Sequence, residues 1–90
     1  MLASCRGGRT SNLDFKEAIE AQAQRASRLQ HTEDRAGFAT ARAVIATYLH
    51  AMSIAEWDIH EVIGDWRSEG FDLLELARSW NDRDLEEWCR

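Results

Sequence analysis

The chain contains no proline, and residues typical of helix ends divide it into short stretches of apolar periodicity. Proline is the strongest interruption of a helix, whereas the abundant Ala, Leu, Glu and Arg favour helices. Apolar residues recur at spacings of three and four, which lines them up on one face of a helix. The sequence therefore predicts an all-α fold, a compact bundle of four to five short helices.

Capping signals set the expected helix boundaries. Ser53 and Glu56 have the spacing of a capping box, which predicts that the third helix begins almost directly after the second. Gly70 is a typical helix-ending residue. The expected helices cover residues 13–30, residues 33–52 after a cap at Thr32, a third stretch from Ser53 to Gly70, residues 71–80, and a short fifth stretch capped by residues 81–84.

The second predicted helix is apolar over most of its circumference, which is typical of a helix at the centre of a bundle. Its apolar stripe continues into a core with residues from the neighbouring helices. The predicted core is Phe15, Ile19, Phe38, Ile45, Leu49, Met52, Ile59, Val62, Ile63, Trp66, Leu73, Leu76 and Trp80.

Ninety residues suffice for one domain, here expected over residues 12–90 behind a flexible leader at 1–11. No apolar run approaches the ~20 residues of a membrane span, so no membrane contact is expected. Cys5 and Cys89 are expected to be free thiols, which indicates a reducing, cytoplasmic location.

The charge is unevenly distributed along the chain. Residues 1–45 hold seven basic and five acidic side chains, a net of +2, and residues 46–90 hold four basic and eleven acidic ones, a net of −7. The acidic half would repel nucleic acid phosphates and attract a basic protein.

Motifs that support catalysis or cofactor binding are missing from the sequence. It has no glycine-rich phosphate loop and no nucleophile elbow. His31, His50 and His60 lack the four-residue spacing of a helical zinc site, and neither cysteine is close to them in sequence. We therefore expect no enzyme activity, no cofactor and no metal.

Trp57 is the tryptophan that fits no apolar stripe, since a helix through this region would point it away from Ile59 and Val62. A large aromatic residue beside charged residues is typical of a binding surface. The sequence thus predicts a non-enzymatic protein-interaction module, a regulator or inhibitor of a basic partner protein. Its predicted contact residues are Glu56, Trp57, Asp58, His60, Glu61, Asp65, Glu86, Glu87 and Trp88.

Several alternatives stay open at this stage. The acidic residues can form a solvated face, and the first helix or the leader can cover Trp57. A helix-turn-helix DNA-binding regulator would present Asp72, Glu75, Arg78 and Ser79 to DNA, which is an unfavourable set in a strongly acidic neighbourhood. Only the first helix could then contact phosphate. A homo-oligomer could form through an apolar helix face.

Overall fold

The computed structural model describes residues 12–90, and side chains from Asp14 onward. Of these described residues 78 % are helical and none lies in a strand, so the predicted all-α bundle is confirmed. The five helices are α1 (Asn12–Leu29), α2 (Arg35–Ile54), α3 (Ile59–Ser68), α4 (Leu73–Ser79) and α5 (Arg83–Cys89).

Helix α2 is the central element, as predicted. A short connection folds it back along α1, and the two form the largest helix–helix interface of the molecule. Further along its length α2 also contacts α3 and α5, and α3, α4 and α5 contact one another. The molecule is thus a helical hairpin with a cluster of three short helices packed against its second arm.

The predicted core is buried except for Phe15 and Leu76, which are half-buried. Small residues let α1 approach α2 closely: Ala23 and Ala26 on α1 face the interior, as does Ala41 on α2. The remaining members of the core come from the later helices and corners. They are Phe71, Ala77, Leu85 and Cys89.

Each helix after α1 begins at an aspartate. The carboxylate accepts a hydrogen bond from the backbone N–H three residues on, which satisfies a donor that the helix leaves unpaired. The predicted caps Thr32 and Ser53 are therefore wrong, since the helices that follow begin two and five residues later than expected. The capping bonds run from Asp34 to Gly37 at 2.9 Å, Asp58 to Glu61 at 3.3 Å, Asp72 to Glu75 at 3.0 Å and Asp82 to Leu85 at 3.1 Å.

Three of the helices end in the same way, with a residue in the left-handed region. Glu56 has φ 68°, Gly70 φ 102° and Asn81 φ 59°. In each case the next residue donates its N–H back to a carbonyl five residues earlier, which is the Schellman arrangement. These bonds are Trp57 to Met52 at 3.0 Å, Phe71 to Trp66 at 2.9 Å and Asp82 to Ala77 at 3.0 Å.

At the corner between α2 and α3, the predicted capping box is wrong. Glu56 ends α2 and does not begin α3, because its left-handed backbone turns the chain and Asp58 then caps α3. Trp57 consequently lies in the corner itself and not on a helix face. The predicted leader, residues 1–11, and Cys5 lie outside the described residues. No helix within residues 12–90 is long and apolar enough to cross a membrane.

Candidate functional site

An open groove of about 670 Å³ lies between α2, the α2–α3 corner and α5. We call it the tryptophan groove, since Trp57 and Trp88 both border it. Its residues come from three separate parts of the sequence. They are Ala46 and Ser53 of α2, Trp57, Asp58, Ile59 and His60 at the corner, and Asp84, Glu87 and Trp88 of α5.

Trp57 forms one border of the groove and is held there by the corner. Its backbone is fixed by the hydrogen bond to Met52, and its indole meets the ring of Phe15 edge to face at 5.3 Å. Phe15 in turn meets the ring of Tyr48 at 6.0 Å. Helix α1 therefore covers one side of Trp57, while the half-buried indole still borders the groove.

Trp88 borders the groove from α5 and is also half-buried. Its ring meets that of His50 on α2 at 6.1 Å and 73°, an edge-to-face contact. The neighbouring residue Cys89 is buried as a free thiol and fixes this end of α5 to the core. Both tryptophans thus have defined positions, which lowers the entropy cost of using them as binding anchors.

Three carboxylates line the groove, and its lining includes no lysine or arginine. Asp58 caps α3, so part of its hydrogen-bonding capacity is used within the chain. Within the described part of the chain, Asp84 and Glu87 take part in no ion pair, and their carboxylates accept no hydrogen bond. The carboxylates of Asp84 and Glu87 therefore give the groove a negative potential that no ion pair among the described residues neutralises.

The predicted contact residues divide into two groups. The tryptophan groove brings together Trp57, Asp58, His60, Glu87 and Trp88 from two distant stretches of sequence. No local sequence pattern indicates that these residues lie close together, because their proximity depends on how α5 packs against α2.

The other four predicted contact residues lie outside the groove. Glu56, Glu61 and Asp65 are exposed but do not line it. Glu86 lines a neighbouring charged cleft, which shares Asp84 with the groove, and its carboxylate lies 3.3 Å from Arg78 Nε and 4.0 Å from Arg90 Nη2. The carboxylate of Glu86 is therefore already paired with arginines of the same chain.

The sequence did not identify four of the groove residues, which are Asp84, Ala46, Ser53 and Ile59. Asp84 was interpreted only as part of a helix start, which it also is. Its helical position three residues before Glu87 places both carboxylates on one face of α5, a spacing that the sequence does contain.

Burial, together with the negative charge of Asp72, raises the pKa of the Cys89 thiol to about 12, so it stays protonated at neutral pH. Among residues 14–90, no three His, Cys, Asp or Glu side chains are arranged to hold a metal ion. The tryptophan groove, with aromatic rings beside unpaired carboxylates, is suited to a cationic group.

Comparison of the chain with protein-family models, with curated proteins and with solved structures finds no match in any of the three.

Proposed function

We propose that this protein is a non-enzymatic protein-interaction module, a regulator or inhibitor, that binds a basic segment of a partner protein in the tryptophan groove. One observation carries the proposal: Trp57 and Trp88, from opposite ends of the acidic half, border one groove that also holds the unpaired carboxylates of Asp84 and Glu87. Half-buried aromatic anchors with a charged surround are the usual composition of a protein-binding hot spot.

The electrostatics of the chain support a basic partner. Residues 46–90 carry a net charge of −7, and the mutual repulsion of these charges lowers the stability of the folded state. A basic segment in the groove would relieve that repulsion, and the complementary potentials would speed and orient the encounter. Because buried free thiols such as Cys89 are usual in reducing compartments, we propose that the interaction takes place in the cytoplasm.

A DNA-binding function makes the opposite forecast, because it needs free cations. Lys16 lies 3.1 Å from Glu69, and Arg42 lies 3.2 Å from Asp82, so both cations have acidic partners within the chain. Arg25 and Arg28 of α1 are exposed and take part in no ion pair among the described residues, so they are cations that DNA phosphates could use instead. Reversing these two charges therefore serves as the test of that alternative.

The experiment captures partners from host lysate on the immobilised full chain, identifies them by mass spectrometry, and repeats the binding with each purified partner. Glu87→Arg is the main variant, since a cation near the C-terminal end of α5 suits the helix dipole and leaves the fold intact. Asp65→Arg is the matched control, with the same charge change on an exposed residue outside the groove. Asp58 is left unchanged because it caps α3.

We expect a basic partner that wild type and Asp65→Arg retain and that Glu87→Arg and Trp88→Ala lose, with unchanged circular dichroism. Retention by the groove variants would contradict the proposal, as would loss only on reversal of Arg25 and Arg28. Disappearance of every partner after nuclease treatment would favour the DNA-binding alternative. Self-capture as the sole result would favour the homo-oligomer.

A further inference from the structure

We infer that the group recognised by the tryptophan groove is the guanidinium of a partner's arginine and not the ammonium of a lysine. This inference rests on the proposed function and makes it more specific. It follows from an arrangement that the chain already uses for one of its own arginines.

That arrangement is the setting of Arg42 on α2. Its guanidinium carbon lies 4.3 Å from the ring centroid of Phe38, and its Nη1 lies 3.2 Å from an oxygen of Asp82. The Arg42 side chain is 24 % exposed and that of Asp82 is 14 % exposed, so solvent screens this pair less than a surface pair. An aromatic face and a carboxylate together hold one planar cation.

The tryptophan groove offers the same two kinds of partner, and its lining residues include no lysine or arginine. Trp57 and Trp88 supply indole rings, which attract cations more strongly than phenyl rings do. Asp84 and Glu87 supply carboxylates that pair with no other described residue. The groove is thus an intermolecular counterpart of the Arg42 site.

Arginine and lysine differ in the property that such a site uses. A guanidinium is flat and weakly hydrated, so it can stack on an indole while its edge donates two parallel hydrogen bonds to a carboxylate. An ammonium is compact and strongly hydrated, and it cannot do both at once. A groove that combines rings with carboxylates should therefore discriminate between the two cations.

The test uses the ¹⁵N-labelled full chain and two peptides of equal charge, acetyl-Gly-Arg-Gly-Arg-Gly-amide and its lysine counterpart. The indole N–H signals of Trp57 and Trp88 are assigned with Trp57→Phe and Trp88→Phe, and the buried Trp66 and Trp80 provide internal references. We expect the arginine peptide to shift the signals of Trp57 and Trp88 and to bind about fivefold more tightly than the lysine peptide, the ratio that a modest stacking preference produces.

Glu87→Gln should weaken binding of the arginine peptide about threefold or more, since it removes one charged hydrogen-bond acceptor. Asp65→Asn, the same change outside the groove, should leave it unaltered. Equal affinity for both peptides at the groove would overturn the arginine preference and leave the proposed function standing. Shifts absent from Trp57 and Trp88 with both peptides would overturn the inference and count against the proposed function as well.

Discussion

At the residue scale, Cys89 shows how burial decides whether a reactive group can react. Its residue surface is 7 % exposed, and the raised pKa reflects loss of hydration first and the nearby charge of Asp72 second. The thiolate is the form that attacks electrophiles and binds metals, and this site disfavours it. Cys89 therefore contributes packing to the core, and its raised pKa keeps the thiol protonated at neutral pH.

We expect the Cys89 thiol to resist alkylation in the native protein at about pH 8 and to react at the ordinary rate once urea unfolds the chain. A Cys5→Ser background removes the other thiol. Fast labelling of the native protein at this pH would contradict the burial of Cys89.

The same raised pKa predicts a pH dependence of stability. The native thiol keeps its proton up to about pH 12, whereas the unfolded thiol loses it near its ordinary pKa of 9.0. Because the native state then binds more protons, the free energy of unfolding falls as the pH rises from about 9 towards 12. Urea titrations of Cys89→Ala at two pH values should show a smaller fall than the wild type, and an equal fall would contradict this prediction.

Trp57 shows where local sequence patterns fail. Ser53 and Glu56 match a capping box in the sequence. No sequence pattern indicates that Glu56 adopts a left-handed backbone, which is a costly conformation for residues with a Cβ atom. The hydrogen bond from Trp57 to Met52 and the packing on Phe15 compensate for that cost. Tertiary contacts that are invisible in the sequence thus decided the position of the tryptophan.

At the scale of the elements, part of the acidic charge belongs to aspartates that cap helices at the corners of the fold. Asp58, Asp72 and Asp82 begin α3, α4 and α5, and each carboxylate accepts a backbone N–H. These side chains are needed for folding whether or not a partner binds. The acidic residues available for recognition are therefore fewer than the sequence suggests.

Two glycines on either side of the end of α3 give a paired prediction. Gly70 has φ 102°, which an alanine adopts only under strain, so Gly70→Ala should lower the free energy of unfolding by about 1 kcal/mol. Gly64 lies inside α3, and a Cβ added there meets nothing within 4 Å. Gly64→Ala should therefore raise the free energy of unfolding by roughly 0.5–1 kcal/mol.

Urea denaturation followed by circular dichroism measures both glycine variants, and the same substitution should act with opposite sign at the two positions. A stabilising Gly70→Ala would mean that α3 does not end in the left-handed turn. A destabilising Gly64→Ala would mean that this side of α3 is covered.

The helices themselves were predictable because their signals are local. Apolar spacing identified all five, and the predicted core was right except for the half-buried Phe15 and Leu76. The tryptophan groove was not predictable, since it joins Ser53 of α2 to Asp84 of α5. Contacts between residues so far apart depend on packing that no local pattern encodes.

At the scale of the whole molecule, specific contacts join α1, α2 and the connection between them to the acidic later part of the chain. Lys16 of α1 lies 3.1 Å from Glu69, and Arg42 of α2 lies 3.2 Å from Asp82. Gln30 donates a hydrogen bond of 2.8 Å to the carbonyl of Ser79. Glu69 is exposed, so its pair with Lys16 contributes little to stability, whereas solvent screens the Arg42–Asp82 pair less. Apolar burial supplies the main stabilisation between these parts.

The central position of α2 leads to the last prediction. Ile45 is fully buried on the helix that contacts α1, α3 and α5, so Ile45→Ala should lower the free energy of unfolding by about 2–5 kcal/mol. Thr40→Ala, on the exposed side of α2, should change it by less than about 0.5 kcal/mol.

Circular dichroism reports on all five helices, and tryptophan fluorescence reports on the surroundings of the four tryptophans, which lie in the α3–α5 region and its corners. If α2 joins α1 and the three short helices into one cooperative unit, the urea transitions of Ile45→Ala by circular dichroism and by fluorescence should coincide. Both should also shift to a lower urea concentration than in the wild type. A loss below about 0.5 kcal/mol, the range of surface substitutions, would mean that α2 is not central. If the circular dichroism transition of Ile45→Ala shifts while its fluorescence transition stays at the wild-type urea concentration, then α1 and α2 unfold separately from the three short helices.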